Sequence, residues 1–514
     1  MVTVAVFSAL PFAVFLDDNR AEAQLDTTLA LYALVVFAIG LAVVVAADRL
    51  GGPAARERAA VVFAVGAYVF FAFQVARDVT DWIGLSRDSS AATLLVWLGL
   101  FAIAVALAMR LSRHAAAWNY AAVAGALLLA FPAIQYGDFK LSDASAESGD
   151  AEASVTDGGV APTGGSATAA KRPDVWFFLL DGYGRADQLE ATVGYDNSAF
   201  LRALEHRGFD VHDDATAAYP ETFLSLASTL DMDLPAPAGE LGDHTPYYAA
   251  IEGDNETVRS FGELGYEYAF GSDYSSFDCN DNVDLCVLPE SDTIDVLVGE
   301  RERAILTATP LIEVLPALGI HPTTLRGYLT PQEMVADTEA GRSGDPLFAY
   351  AHILTPHPPY RYLEGCELKT DLRNQSLVDW GESQGSGGEE YARAVECVNR
   401  ALLEAVDAIL AADSDAIVVI QGDHGPKFDG MNFHRPLADW TPEELQERFP
   451  ILNAQRLPRD CAPTGTNAGF AANTFRYVFA CITGEPAEPL SPRHYMIDLE
   501  NSQIEEVGEE LIAP

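Results

Sequence analysis

The chain predicts an α/β fold, with a mostly parallel central sheet flanked by helices, behind an all-α bundle of transmembrane helices. Three observations carry this. Three apolar, mostly β-branched or aromatic runs, Val175 to Leu180, Leu347 to Leu354 and Ala416 to Ile420, have the look of strands buried on both faces. Segments with helical spacing alternate with them, which is the pattern of a sheet covered on both sides. Finally, nearly every residue from 28 to 136 belongs to an apolar run or a short connection.

In order along the chain, residues 2–16 are apolar but short for a span. No basic region precedes them, so a first helix is expected there rather than a signal peptide. Spans follow at about 28–47, 59–76, 91–109 and 118–136, each near the roughly 20 residues a bilayer requires. The connections at 48–58 (Arg49, Arg56, Arg58) and 110–114 (Arg110, Arg113) are basic, which assigns them to the cytoplasmic side. Everything after 136 is then extracytoplasmic, giving a multi-pass protein of the plasma membrane. Residues 1–140 form this region of four to five helices. Residues 141–170, mostly Ser, Ala, Gly, Asp and Glu, are expected to be a disordered acidic linker. The head occupies 171–514.

Within the head, apolar spacing predicts a helix after the first strand, broken near Gly194, a short buried helix at Thr222 to Leu230, and a long one from Glu390 to Ala411. Residues 304–320 are apolar, but Pro310, Glu313 and Pro316 argue against a span; a helix packed on the head or at the membrane surface is expected.

The formal net charge is -44, with four lysines in 514 residues, which argues against a nucleic-acid binder, since that would need a basic face. Such acidity suits solvation in a medium of high salt, where self-repulsion is screened. The cysteines, Cys279, Cys286, Cys366, Cys397, Cys461 and Cys481, all lie in the head. An even count there fits disulfides in an oxidising compartment; pairing in order is the simplest arrangement, although spacing alone fixes no connectivity.

The chemistry gathers where the apolar strands stop. Ala416 to Ile420 leads to Asp423-His424-Gly425, Val175 to Leu180 to Asp181-Gly182, and Leu347 to Leu354 to the His357 turn. Ligands in open α/β sheets bind beyond the carboxyl ends of the strands. Asp181, Asp423 and His424 offer oxygen and nitrogen donors for a divalent metal. Work on a phosphate or sulfate ester also needs a nucleophile, best held at a helix amino terminus. Thr222 opens the run TFLSLASTL and is the first candidate; Ser225, one turn on, is the second.

The stretches VWFFLLDGYGRAD, TFLSLAS, HILTPHPPY and GDHGPKF, in that order, resemble the alkaline phosphatase/sulfatase superfamily. Within it the chain looks like the membrane-anchored branch of lipoteichoic acid synthases and phosphoethanolamine transferases. ERFPILNA (447–454) and NTFRYVF (473–479) look like sulfatase-like membrane proteins as well. The resemblance implies an alkaline phosphatase-like head with Asp181, Thr222, Asp423 and His424 around one divalent ion (Mn, Zn or Mg; Ca is compatible). It implies Thr222 as the catalytic nucleophile and His357, with His352 and His434 as weaker candidates, on the substrate. The implied partners are a membrane lipid donor and a cell-surface glycan or lipid acceptor. The alternatives are a phosphodiesterase or sulfuric ester hydrolase, and a catalytically inactive envelope scaffold. A formylglycine sulfatase is disfavoured: that modification needs C/S-x-P-x-R, and Cys461-Ala462-Pro463-Thr464-Gly465 lacks the basic residue.

Overall fold

The computed structural model describes residues 2–18, 27–83, 90–114, 117–149, 172–242, 244–274, 277, 279–289, 295–297, 300–318, 320–323, 328–358, 360–368, 387–428, 433, 435–458, 461, 467–499 and 501–512. The chain divides into two compact units, Met1–Asp157 with Ile294–Pro322, and Gly158–Thr293 with Thr323–Pro514.

The first unit holds helices α1 (Val2–Asp18), α2 (Thr27–Phe71), α3 (Gln74–Trp82), α4 (Ser90–Leu111) and α5 (Ala117–Gly149). Three of them, α2, α4 and α5, are long and apolar enough to cross a membrane. Leu34, Leu98 and Leu127 on these helices are exposed, as suits a lipid-facing surface. Two of the expected spans are the arms of α2: Gly52 leaves helical geometry (φ 71°, ψ -166°) and Pro53 follows it, bending the helix there. Helix α5 continues to Gly149, so the first nine residues of the expected linker are helical; residues 150–171 lie outside the described residues. The segment expected either on the head or at the membrane surface belongs with these helices. Its two helices, Glu300–Thr307 and Leu311–Ala317, are tied to the α2–α3 corner. The Phe73 N–H donates to Ala308 O at 3.1 Å, and Arg77 Nη2 meets Glu313 Oε1 at 3.2 Å.

In chain order the strands are β1 (Val175–Leu180), β2 (Asp210–Val211), β3 (Gly239–Glu240), β4 (Glu267–Ser272), β5 (Leu285–Val287), β6 (Asp295–Leu297), β7 (His321–Thr323), β8 (Leu347–Ile353), β9 (Ile417–Gly422), β10 (Asn453–Arg456), β11 (His494–Asp498) and β12 (Gln503–Val507). The central sheet of the second unit runs β2-β10-β9-β1-β8-β4-β5. Pairing is parallel from β9 through β5, and β10 runs against its neighbours. A small antiparallel sheet, β11-β12-β3, stands apart from it.

β1 is central and wholly buried, and its alternating side chains fill two cores. Val175, Phe177 and Leu179 pack on one face with Leu224 and Phe475; Trp176, Phe178 and Leu180 pack on the other with Val395, Val398 and Leu402. The latter three come from the helix Gly387–Ala412, whose buried side follows the expected i, i+3/i+4 spacing. The helix Ala186–Val193 stops at Gly194 in the left-handed region (φ 68°), and a second, Ser198–Glu205, follows. The disulfides pair in sequence order: Cys279–Cys286, Cys366–Cys397 and Cys461–Cys481.

Candidate active site and metal centre

Strand register puts the ligand candidates together. Leu180, the last residue of β1, lies opposite Gly422 of β9 and Ile353 of β8. The next residues are therefore neighbours at one edge of the sheet: Asp181, Asp423 and Leu354. Both carboxylates are buried, as is His424. Thr222 comes to the same place from the other direction, as the first residue of the helix Thr222–Asp231.

Donors lock the Asp423 carboxylate in orientation: Oδ1 accepts from the N–H groups of Gly182 (2.9 Å) and His424 (2.8 Å). Its other oxygen, Oδ2, has no hydrogen-bond partner, and neither has Asp181 Oδ1. His424 Nδ1 lies 2.9 Å from Gly425 O. A carbonyl only accepts, so Nδ1 carries the proton and Nε2 presents a lone pair. That Nε2 is 3.2 Å from Asp423 Oδ2, 3.7 Å from Asp181 Oδ1 and 3.0 Å from Thr222 Oγ1. Three acceptor atoms thus converge beside the Thr222 hydroxyl, a buried arrangement suited to a cation. Among the described residues, Asp181, Asp423 and His424 are the one group of His, Cys, Asp and Glu side chains able to hold a metal ion.

Burial and neighbouring charges shift all three groups. Burial would raise the Asp181 carboxyl, but the His357, His352 and His424 imidazoles around it hold it well below the usual range. Burial, then the charge of Asp181, pushes Asp423 well above that range. Burial, then the Arg448 guanidinium, holds His424 well below its ordinary value, in the neutral form that ligates metals.

The other expected residues fall around this centre. His357 sits beside Asp181, its N–H donating to Asp181 O (3.0 Å), and its Nδ1 donates to Pro358 O (2.6 Å). His352 is fully buried in β8, with Nε2 3.6 Å from Asp181 Oδ2 and Nδ1 3.5 Å from Ser272 Oγ; it lies against the carboxylate rather than at an opening. His434 lies outside the described residues. Ser225, the second nucleophile candidate, is fully buried and donates to the Asp423 carbonyl at 2.6 Å, so its hydroxyl is spent on holding the loop. Arg185, after the Asp181 turn, is buried and paired with Asp187 at 2.7 Å and 2.9 Å.

Two supports carried no role in the sequence. Tyr391 Oη donates to Gly182 O (2.8 Å) and accepts from Gly184 N–H (3.2 Å), gripping the turn after Asp181. Arg448, in the ERFPILNA stretch, donates to Gly425 O and Pro220 O. Both contacts span more than twenty residues of sequence; the resemblance of ERFPILNA was the one available signal for Arg448.

A mostly parallel α/β sheet thus bears two carboxylates and an imidazole beyond its strand ends, with a hydroxyl at an adjoining helix start, an arrangement suited to metal-dependent ester chemistry. Residues 255–453 match the family model described as Sulfatase, so that stretch is sulfatase-like. The matched stretch includes His352, His357, Asp423 and His424; Asp181 and Thr222 precede it and join the site through the fold. No curated protein matches the chain. Similar solved structures include the C-terminal periplasmic domain of EcEptC from Escherichia coli, 12% identical with a TM-score of 0.40, covering 66% of this chain and 93% of that one. The integral membrane protein lipooligosaccharide phosphoethanolamine transferase A (EptA) from Neisseria meningitidis is 14% identical, TM-score 0.41, covering 93% and 95%. An alkaline phosphatase superfamily protein from Vibrio parahaemolyticus is 16% identical, TM-score 0.39, covering 64% and 74%.

Proposed function

We propose that the protein is a membrane-bound, metal-dependent phosphotransferase that moves a phosphorylated headgroup from a lipid donor to a cell-envelope acceptor through phosphothreonine at Thr222. The observation that carries this is the Thr222 hydroxyl, 3.0 Å from His424 Nε2 at a helix start and next to two buried carboxylate oxygens without partners. Asp181, Asp423, His424 and Thr222 would hold one divalent ion; two carboxylates, an imidazole and a hydroxyl suit Mn, Zn or Mg. When bound, that ion supplies Lewis acidity, lowering the hydroxyl pKa and offsetting charge on the phosphoryl oxygens.

Thr222 Oγ1, having lost its proton to solvent, attacks phosphorus. The Oγ1–P bond forms as the bond from phosphorus to the lipid alcohol breaks. His357, its Nδ1 fixed on Pro358 O, donates a proton from Nε2 to the departing oxygen. An acceptor hydroxyl then attacks the phosphothreonine, giving up its proton to His357 and restoring Thr222. His352 and Ser225 act through others: His352 steadies Asp181, and Ser225 steadies the Asp423 main chain. The disulfides and the apolar helices support a head on the extracytoplasmic side of a membrane, where lipid headgroups and surface glycans are at hand.

A second reading, a sulfatase-like hydrolase with water as the acceptor, is favoured by the Sulfatase match. Both are tested by intact mass of the full chain in detergent, incubated with Mn2+ and phospholipids of defined headgroup, beside Thr222→Ala. A headgroup-sized increment mapped to Thr222 and absent from the variant establishes transfer. No increment, with turnover of bis(p-nitrophenyl) phosphate or p-nitrophenyl sulfate, establishes hydrolysis. Neither adduct nor turnover sinks both in favour of a binding role.

A further inference from the structure

We propose that Arg448 is a positioning residue that fixes Thr222 against Asp423 and His424, by bridging the loop that enters the Thr222 helix to the loop that leaves β9. The inference rests on the reading of Thr222 and His424 as one reactive centre.

Thr222 and His424 are 202 residues apart, and their relative placement depends on whatever joins their two loops. Arg448 does so directly. Its Nη1 donates to Gly425 O at 2.5 Å, one residue past His424, and its Nη2 donates to Pro220 O, two residues before Thr222. The main chain adds a third tie, because the Gly425 N–H donates to Arg448 O at 2.7 Å. Gly425 is thus gripped on both sides, and a Cβ there would collide with the Glu447 carbonyl oxygen, so only glycine fits. The guanidinium is itself fixed in place. It ends the helix Pro442–Arg448, whose start has a full capping box from Thr441 and Glu444, and the Phe433 ring lies 5.3 Å from its central carbon.

Stability alone gives little reason for this arrangement. Arg448 is only 2% exposed, and the nearest carboxylate, Glu221, is 3.8 Å away. A buried guanidinium bonded to carbonyl oxygens gains little over an apolar residue of the same volume. What an apolar residue cannot provide is a rigid fork reaching two diverging carbonyls; a lysine ammonium, a single point, cannot do so either. The fork sets the spacing between the hydroxyl and the imidazole.

The test compares the full chain with Arg448→Lys and Arg448→Met. Four quantities are read: kcat and KM on bis(p-nitrophenyl) phosphate, Mn2+ affinity by calorimetry, and the Thr222 Oγ1 to His424 Nε2 separation in crystal structures. The expected result is a fall in kcat of about 100-fold, the scale of a misplacement near 1 Å. KM stays unchanged, and Mn2+ affinity falls by no more than it does in Thr222→Ala, because Asp181, Asp423 and His424 remain in place. The separation grows beyond hydrogen-bond reach in both variants, and Lys fails to restore kcat. Unchanged kcat, or a separation still near that of the parent chain, overturns the proposal; so does a collapse of Mn2+ affinity together with kcat, which would make Arg448 a general support of the fold. A parent chain without turnover refutes the functional reading, and the separation then decides on Arg448 by itself. Arg448→Lys keeps the charge and most of the volume, so the comparison survives if Arg448→Met does not fold.

Discussion

At the scale of single residues, the site is a set of acceptors awaiting a cation, and each member has a distinct expected phenotype. Thr222→Ala abolishes any covalent adduct and lowers kcat by about 10³-fold or more, the range seen when a nucleophile is removed; Thr222→Ser retains part of the rate. Ser225→Ala leaves the Asp423 carbonyl unpaired in a dry site and costs about 1–3 kcal/mol in thermal or denaturant unfolding. A pH effect lies outside the site. His494 is buried with Nε2 3.0 Å from Thr216 Oγ1, and burial pushes its pKa from 6.5 down to about 4. The unfolded chain therefore binds a proton there that the folded chain refuses, between about pH 6.5 and 4, and stability falls as pH drops through that window. His494→Gln flattens that part of the stability–pH curve; an unchanged slope would remove His494 as the cause. Asp181, Asp423 and Thr222 could be singled out from the sequence because strand ends and helix starts are local features, and the fold brings them together. Arg448 and Tyr391 could not be, since each works on backbone atoms that only the tertiary fold brings near.

At the scale of elements, the long apolar strands and the amphipathic helix Gly387–Ala412 followed from periodicity, because burial on two faces or on one leaves a plain pattern. Periodicity says nothing of which body a segment joins. Residues 304–320 are apolar enough for several surroundings, and the choice was made by partners far away in sequence, Phe73 and Arg77. The bend in α2 was legible as two spans, yet the helix runs through the connection with only Gly52 out of line. The order of disulfide pairing needed the fold as well. Cys366–Cys397 ties the chain beyond the His357 turn to the helix Gly387–Ala412. Replacing both cysteines with serine removes a cross-link closing a separation of 31 residues and costs about 2–5 kcal/mol. Thermal unfolding of the full chain with and without a reductant checks this, and the double variant loses its response to that bond.

At the scale of the whole molecule, the charge of -44 was read directly from composition, and its effect is on stability and solubility rather than on fold. Self-repulsion of this size is screened as the Debye length shrinks to about 3 Å near 1 M salt. The unfolding temperature is expected to climb steadily as NaCl is raised from low ionic strength to that range; a flat response would assign the acidity to solubility alone. The fold class was legible because buried strands and amphipathic helices leave plain patterns in composition. The course of the chain between the parts was hidden, since the second unit gives up Ile294–Pro322 to the first and then takes the chain back. The paired strands β6 and β7 close the base of that excursion. The polypeptide is consequently stitched rather than merely leashed. A cut engineered after Asp157 therefore leaves Ile294–Pro322 on the same polypeptide as the second unit, although it belongs to the first.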